Sequence, residues 1–132
     1  MKSNKKSKIE SMNVEKIEIA NEDNRRVIKN IFNGKFTARQ AIIIEIKEDS
    51  ILGKHYHLYD EIFYLLKGKA DYKFVDVESG EEKKIEVKEG EKIKIPSKTY
   101  HEAFMPKGSV IIGLTENEYV NAQINDLKYG EK

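Results

Sequence analysis

The feature that most limits what this chain can fold into is its rhythm. Apolar and β-branched residues come in short runs, each closed by glycine, proline or a small polar turn, and no long stretch keeps a 3.6-residue period. Runs of this kind are expected at 14–19, 38–47, 51–57, 61–67, 70–77, 82–87, 92–95, 101–104 and 109–115. The stretch 27–32 is open between strand and helix. The breaks hold Asp49 and Ser50, Gly68, Ser79 and Gly80, Gly90, Pro96, and Lys107 and Gly108, the residues that turns use. Many short strands with such punctuation make an all-β sandwich or barrel. From Asn117 onward the chain is expected to form a short helix, or an arm that packs on a partner.

At 132 residues the chain is expected to hold one domain. Residues 1–13, with Lys2, Lys5, Lys6 and Lys8, are expected to be a disordered basic tail, and 14–132 the domain itself. With no cysteine, disulfides, thiolate nucleophiles, iron–sulfur clusters and Cys-ligated zinc are excluded. No apolar run approaches the roughly 18 residues that span a bilayer, and the N-terminus has no apolar signal-peptide core. The expectation is a cytoplasmic protein without a membrane partner. Lys and Arg number 24 against 23 Asp and Glu, a net charge of +1. That balance argues against a nucleic-acid partner, which calls for a one-sided positive excess.

The residues that carry chemistry are few. The chain has three histidines: His55, His57 and His101. His55 and His57 are two apart in an expected strand, so both side chains leave one face and Tyr56 leaves the other. Glu61 opens the next strand after a tight turn at 58–60, and an antiparallel hairpin brings it back beside the pair. Imidazole with carboxylate suits zinc, iron, manganese, nickel or copper. A single histidine would be read as a surface or core residue; here the whole histidine complement falls into a metal-like pattern.

These residues also carry a resemblance. Gly53-Lys54-His55-Tyr56-His57, then Glu61, then Gly68, resembles the first cupin motif, and Gly90, Pro96 and His101 at their spacing resemble the second. The likeness covers about residues 38–115. Lys98 stands where the second motif usually has glycine, and Met105 where it usually has asparagine. The resemblance implies a cupin double-stranded β-helix, a jelly-roll barrel, with one divalent transition metal ion (Zn, Mn, Fe or Ni) held inside one mouth by His55, His57, Glu61 and His101.

A cupin fold hosts many reactions. The stretch from Gln40 to His57, the following Glu61-Ile62-Phe63 and Lys67-Gly68-Lys69-Ala70, and the later Thr115-Glu116-Asn117-Glu118-Tyr119 are similar to cupins of sugar-nucleotide pathways. That likeness implies a metal-dependent isomerase or epimerase acting on a small carbohydrate or sugar nucleotide by proton abstraction next to a carbonyl. Two other classes stay open: a mononuclear metal dioxygenase, and a small-molecule-binding cupin without catalysis. Gln40 and Tyr100 are the candidate catalytic side chains; Glu102, Tyr64 and Tyr72 are further candidates for the base, with strand alternation counting against Glu102. Long unpaired sheet edges point to a homodimer in which the strand at 14–19 covers a partner's edge.

Overall fold

The computed structural model describes residues 6–130. Among them the chain forms eleven strands and one short helix: β1 (Val14–Lys16), β2 (Glu18–Glu22), β3 (Val27–Asn30), β4 (Gln40–Glu45), β5 (Ser50–His55), β6 (Glu61–Lys67), β7 (Lys69–Asp76), β8 (Glu82–Lys88), β9 (Glu91–Ile95), β10 (Thr99–Met105), β11 (Val110–Thr115) and α1 (Ala122–Asn125). Two antiparallel sheets face each other, one in the order β1-β9-β6-β11-β4 and the other β5-β10-β7-β8. The strands interleave between the sheets along the chain, so this is the expected all-β jelly roll.

The side-chain period of two explains what lies between the sheets. In β4, Ile42 and Ile44 turn inward while Ile43, between them, is 69% exposed. In β10, Thr99, His101, Ala103 and Met105 are buried and alternate with partly exposed neighbours. Phe63, Leu65, Tyr72, Phe74, Ile93 and Ile111 build the centre of the core. Burying side chains of this size contributes about 1.5–3 kcal/mol each.

The ambiguous stretch at 27–32 resolves as a strand. β2 and β3 form a hairpin of their own, and nearly all of its residues are exposed. The strand expected at 14–19 is broken at Ile17, and its first part, β1, pairs with β9. The tail is also corrected. Residues 1–5 lie outside the described residues, but within 6–13 Ile9 and Met12 are 1% and 4% exposed and belong to the core cluster. Lys8 secures this segment: its Nζ donates to the carbonyls of Ser97 and Lys98 and lies 3.5 Å from Asp76. Two apolar side chains within a lysine-rich stretch were enough to seat it. Among the described residues no helix is long and apolar enough to cross a membrane.

Candidate functional site

β5 and β10 are hydrogen-bonded neighbours, and His55 and His101 are direct partners in that ladder. The strands can approach there because residue 53 is glycine. Gly53 sits at φ +89°, and a Cβ on it would fall 2.8 Å from the His101 carbonyl oxygen. The ladder slips at this point: Lys54, at φ 63°, has no partner on β10, and this extra residue on β5 puts His55 on the inward side with Leu52 while the alternation of β10 carries His101 inward unbroken. β5 ends at His55; Tyr56 makes an isolated bridge with Leu127, and His57 follows on the same side as His55. Glu61 arrives from the other sheet, as the first residue of β6.

The three imidazoles share one cavity of about 180 Å³, walled largely by Ile42, Ile44, Leu52, Phe63 and Met105. Their potential ligand atoms all lie within 4.8 Å of one another. Ring centroids are 4.6 Å apart for His55 and His57, 4.8 Å for His55 and His101, and 5.6 Å for His57 and His101. Glu61 stands outside that group of three but next to it, with Oε1 3.5 Å from His57 Nε2.

Burial governs the charge states. It lowers the pKa of His101 to about 3, with His55 and His57 adding to the effect. His55 is lowered by burial and then by His57, and His57 by burial; the nearby Asp126 partly opposes both shifts. Burial raises Glu61 to about 8, with Asp126 adding to it. The cluster is therefore a set of neutral imidazoles beside a carboxyl group kept from ionising. Neutral imidazoles are what a metal ion takes as ligands.

Two buried polar atoms have no hydrogen-bond partner among the described residues: Glu61 Oε1 and His101 Nδ1. Buried orphans of this kind are uncommon and ask for a partner. Three converging imidazoles with an adjacent unsatisfied carboxyl oxygen fit a divalent transition metal ion.

The other sequence candidates divide. Gln40 lines the cavity with its side-chain amide 3.2 Å from Thr115 Oγ1, whose hydroxyl donates to the Asn117 carbonyl at 2.7 Å. Tyr72 lines it too and is buried, which pushes its hydroxyl far up. Tyr100 does not reach the cavity. It neighbours His101 on β10 and so points to the opposite face, where its hydroxyl donates to Glu102 Oε1 at 2.9 Å and its ring lies against Tyr129. Glu102 shares that outer side, and Tyr64 is absent from the cavity wall. Tyr100 is thus withdrawn as a catalytic candidate by the same alternation that counts against Glu102.

Tyr59, Tyr119 and Asp126 also line the cavity and are not site candidates from the sequence, although Tyr119 closes the run at 115–119. Asp126 Oδ1 is 4.0 Å from His55 Nε2 and 3.8 Å from His57 Nδ1, and its Oδ2 accepts from the Tyr119 hydroxyl at 3.0 Å. They come from the turn after the histidines and from the C-terminal segment, which is joined to the β5 end by the Tyr56–Leu127 bridge. No spacing rule linked that segment to the histidines.

A family model described as a cupin domain matches residues 42–109. No curated protein sequence matches the chain. Solved structures do share its fold. WlaRB, a TDP-quinovose 3,4-ketoisomerase from Campylobacter jejuni, is 18% identical with a TM-score of 0.75, covering 89% of this chain and 94% of that one. A mutant of the 3,4-ketoisomerase QdtA from Thermoanaerobacterium thermosaccharolyticum, in complex with TDP-4-keto-6-deoxyglucose, is 19% identical with a TM-score of 0.69, covering 84% and 83%. The dTDP-4-dehydrorhamnose 3,5-epimerase of Bacillus anthracis is 10% identical with a TM-score of 0.71, covering 87% and 77%.

Proposed function

Because the chain belongs to the cupin family, and structures of its fold include ketoisomerases and an epimerase of TDP-linked sugars, we propose that it is a sugar or sugar-nucleotide isomerase or epimerase. The observation that carries this reading is the cavity itself. It combines apolar walls, three neutral imidazoles, a buried carboxyl group and an amide at Gln40 in one enclosure. Moving a proton on a carbon next to a carbonyl asks for a group that takes the proton and for donors that stabilise the developing oxyanion.

In this proposal His55, His57, His101 and Glu61 hold one divalent metal ion. Such an ion, when bound, polarises the substrate carbonyl. The remaining work falls to the chain's own side chains. Gln40, whose side-chain amide lines the cavity beside Thr115, can hydrogen-bond a sugar hydroxyl or carbonyl. The aliphatic walls exclude water and favour the uncharged imidazoles. Tyr59, Tyr119 and Asp126 stand at the cavity with hydroxyl and carboxylate groups that can exchange protons with a polar substrate.

The test is isotope exchange. Purified protein with added Zn(II) or Mn(II) is incubated in heavy water with a panel of aldoses, ketoses and nucleotide-linked keto sugars, and followed by NMR. Deuterium incorporation at the carbon next to the carbonyl supports the reading. No exchange across the panel, with oxygen uptake on a catechol or thiol substrate instead, overturns it.

A further inference from the structure

One buried polar residue near the cavity has no part in the reaction described above, yet every polar group of its side chain is satisfied. Asn125 closes α1 and is 4% exposed. Its Oδ1 accepts from the backbone N–H of Val120 at 2.8 Å and of Asn121 at 3.2 Å. Its Nδ2 donates to the hydroxyl of Tyr59 at 3.0 Å and to the carbonyl of Glu118 at 3.1 Å. The side chain thus ties together the whole loop before α1 and joins it to the turn that follows the first two histidines.

What that knot holds in place is the ring of His57. The main-chain carbonyl of Asn125 is the partner of His57 Nδ1. A carbonyl oxygen only accepts, so this bond puts the ring proton on Nδ1 and leaves the lone pair on Nε2. Nε2 is the nitrogen that faces Glu61, 3.5 Å away, on the cavity side. The ring face is held by the same residue at one remove: Tyr59, anchored by Asn125 Nδ2, stacks on His57 with centroids 4.8 Å apart and planes 17° from parallel. The segment carrying Asn125 is itself fixed beyond it, where Leu127 and Tyr56 exchange backbone hydrogen bonds of 2.9 Å in each direction.

We propose that Asn125 is a positioning residue for His57: its side chain aims its own carbonyl at Nδ1 and holds Tyr59 against the ring, and so fixes the tautomer and plane that present an Nε2 lone pair to the cavity. A histidine whose other nitrogen is fixed in this way is oriented for a ligand and made more basic toward it. The role of Asn125 in turnover rests on the isomerase reading, but its role in setting the tautomer does not, and the two fail separately.

The experiment uses the full chain, labelled with ¹⁵N in histidine, as purified and after chelation. Two-bond ¹H–¹⁵N spectra at neutral pH report the tautomer of each ring, and Zn(II) titration reports affinity. The parent is expected to show His57 with its proton on Nδ1. In Asn125→Ala that signature gives way to a mixture of tautomers, and Zn(II) binding weakens by about ten- to a hundredfold. Asn125→Asp, which keeps Oδ1 and loses both Nδ2 donations, and Tyr59→Phe, which loses one of them, move the tautomer in the same direction by smaller amounts. Asn121→Ala, which removes the cap on the Ile124 N–H and leaves the side-chain bonds of Asn125 in place, serves as the comparison for general loosening and should leave His57 unchanged. If Asn125→Ala does not fold, Asn125→Asp decides by the same criterion. A parent protonated at Nε2, an Asn125 variant with the parental tautomer, or an Asn121 variant that disturbs His57 as much would each overturn the proposal. A parent that binds no zinc while the Asn125 variants still lose the tautomer would remove the metal reading and leave this one standing.

Discussion

His55 and His101 are 46 residues apart in sequence and face each other directly across the β5–β10 ladder. Their rings meet nearly at right angles with centroids 4.8 Å apart. Two adjacent strands thus provide half of the proposed ligand set, and the other half comes from the segment after β5 and from β6.

The first prediction concerns occupancy. Protein purified without chelators should carry close to one divalent transition metal ion per chain by elemental analysis. Metal that binds only the folded state stabilises it by about 2.7 kcal/mol when its free concentration is a hundred times its dissociation constant. His55→Ala, His57→Ala and His101→Ala should each abolish the metal-dependent rise in Tm. Glu61→Gln should weaken binding less, and Tyr56→Phe should leave it within about twofold of the parent, because Tyr56 lies outside the cavity wall. A folded parent that binds neither Zn(II) nor Mn(II) would end the metal reading.

The second concerns pH in the metal-free protein. Glu61 is raised to about 8 from an ordinary 4.5, so its protonated form favours folding. That contribution is complete below about pH 4.5 and is lost as pH rises through about 8. His101 is lowered to about 3 from 6.5, so its stabilising contribution is present above about pH 6.5 and is lost as pH falls toward 3. Urea unfolding of chelated protein from pH 4 to 10 should show both limbs. Glu61→Gln should flatten the alkaline limb and leave the acid limb in place; an unchanged alkaline limb would show that Glu61 is not its source.

The third concerns Lys98, which occupies a position where the cupin motif usually has glycine. It adopts the left-handed conformation with φ 58°. Its N–H donates to the His57 carbonyl at 2.7 Å, and its own carbonyl accepts from Val77 N–H and Lys8 Nζ. The left-handed region costs a non-glycine residue about 1–2 kcal/mol, while glycine costs roughly 0.5–1 kcal/mol through the entropy of the unfolded chain. Lys98→Gly should therefore change stability by less than about 1 kcal/mol or increase it, and Lys98→Val, branched at Cβ, should lose more than about 1 kcal/mol. Denaturant midpoints decide it; a glycine variant weaker than the valine variant would contradict the backbone assignment.

The fourth concerns assembly. The β2–β3 hairpin leaves Ile19, Val27 and Ile28 at 55%, 42% and 39% exposure, and a lone two-stranded hairpin is marginal in water. A homodimer that covers it is expected, and light scattering at micromolar concentration should return twice the chain mass. Ile19→Lys combined with Ile28→Lys should shift that mass toward the monomer. A parent that is already monomeric would exclude the dimer.

Where the sequence was legible, local periodicity was the reason. β6 follows from its short continuous apolar run, closed by the Gly68 turn, and it spans Glu61–Lys67 as expected. The placement of His55 and His57 on one side follows from a spacing of two. The same rule, applied to Tyr100 beside His101, would have removed it from the candidates. What escaped depends on contacts that no short window contains. Asn125 meets His57 across 68 positions with no motif between them. Ile9 and Met12 are two apolar residues in a lysine-rich stretch whose composition resembles a solvated tail, and only the assembled core gives them a place.

The division of the proposed ligand set between sheets has a kinetic meaning. His55 and His101 belong to the β5-β10-β7-β8 sheet, whereas Glu61 opens a strand of the other. A fluctuation that parts the two sheets near the cavity pulls Glu61 away from the imidazoles without breaking the β5–β10 ladder. Release of a bound ion should then track this breathing of the barrel rather than global unfolding. An off-rate that rises when the walls at Phe63 or Met105 are trimmed, while the unfolding rate stays nearly constant, would make the departing metal a clock for motion between the sheets.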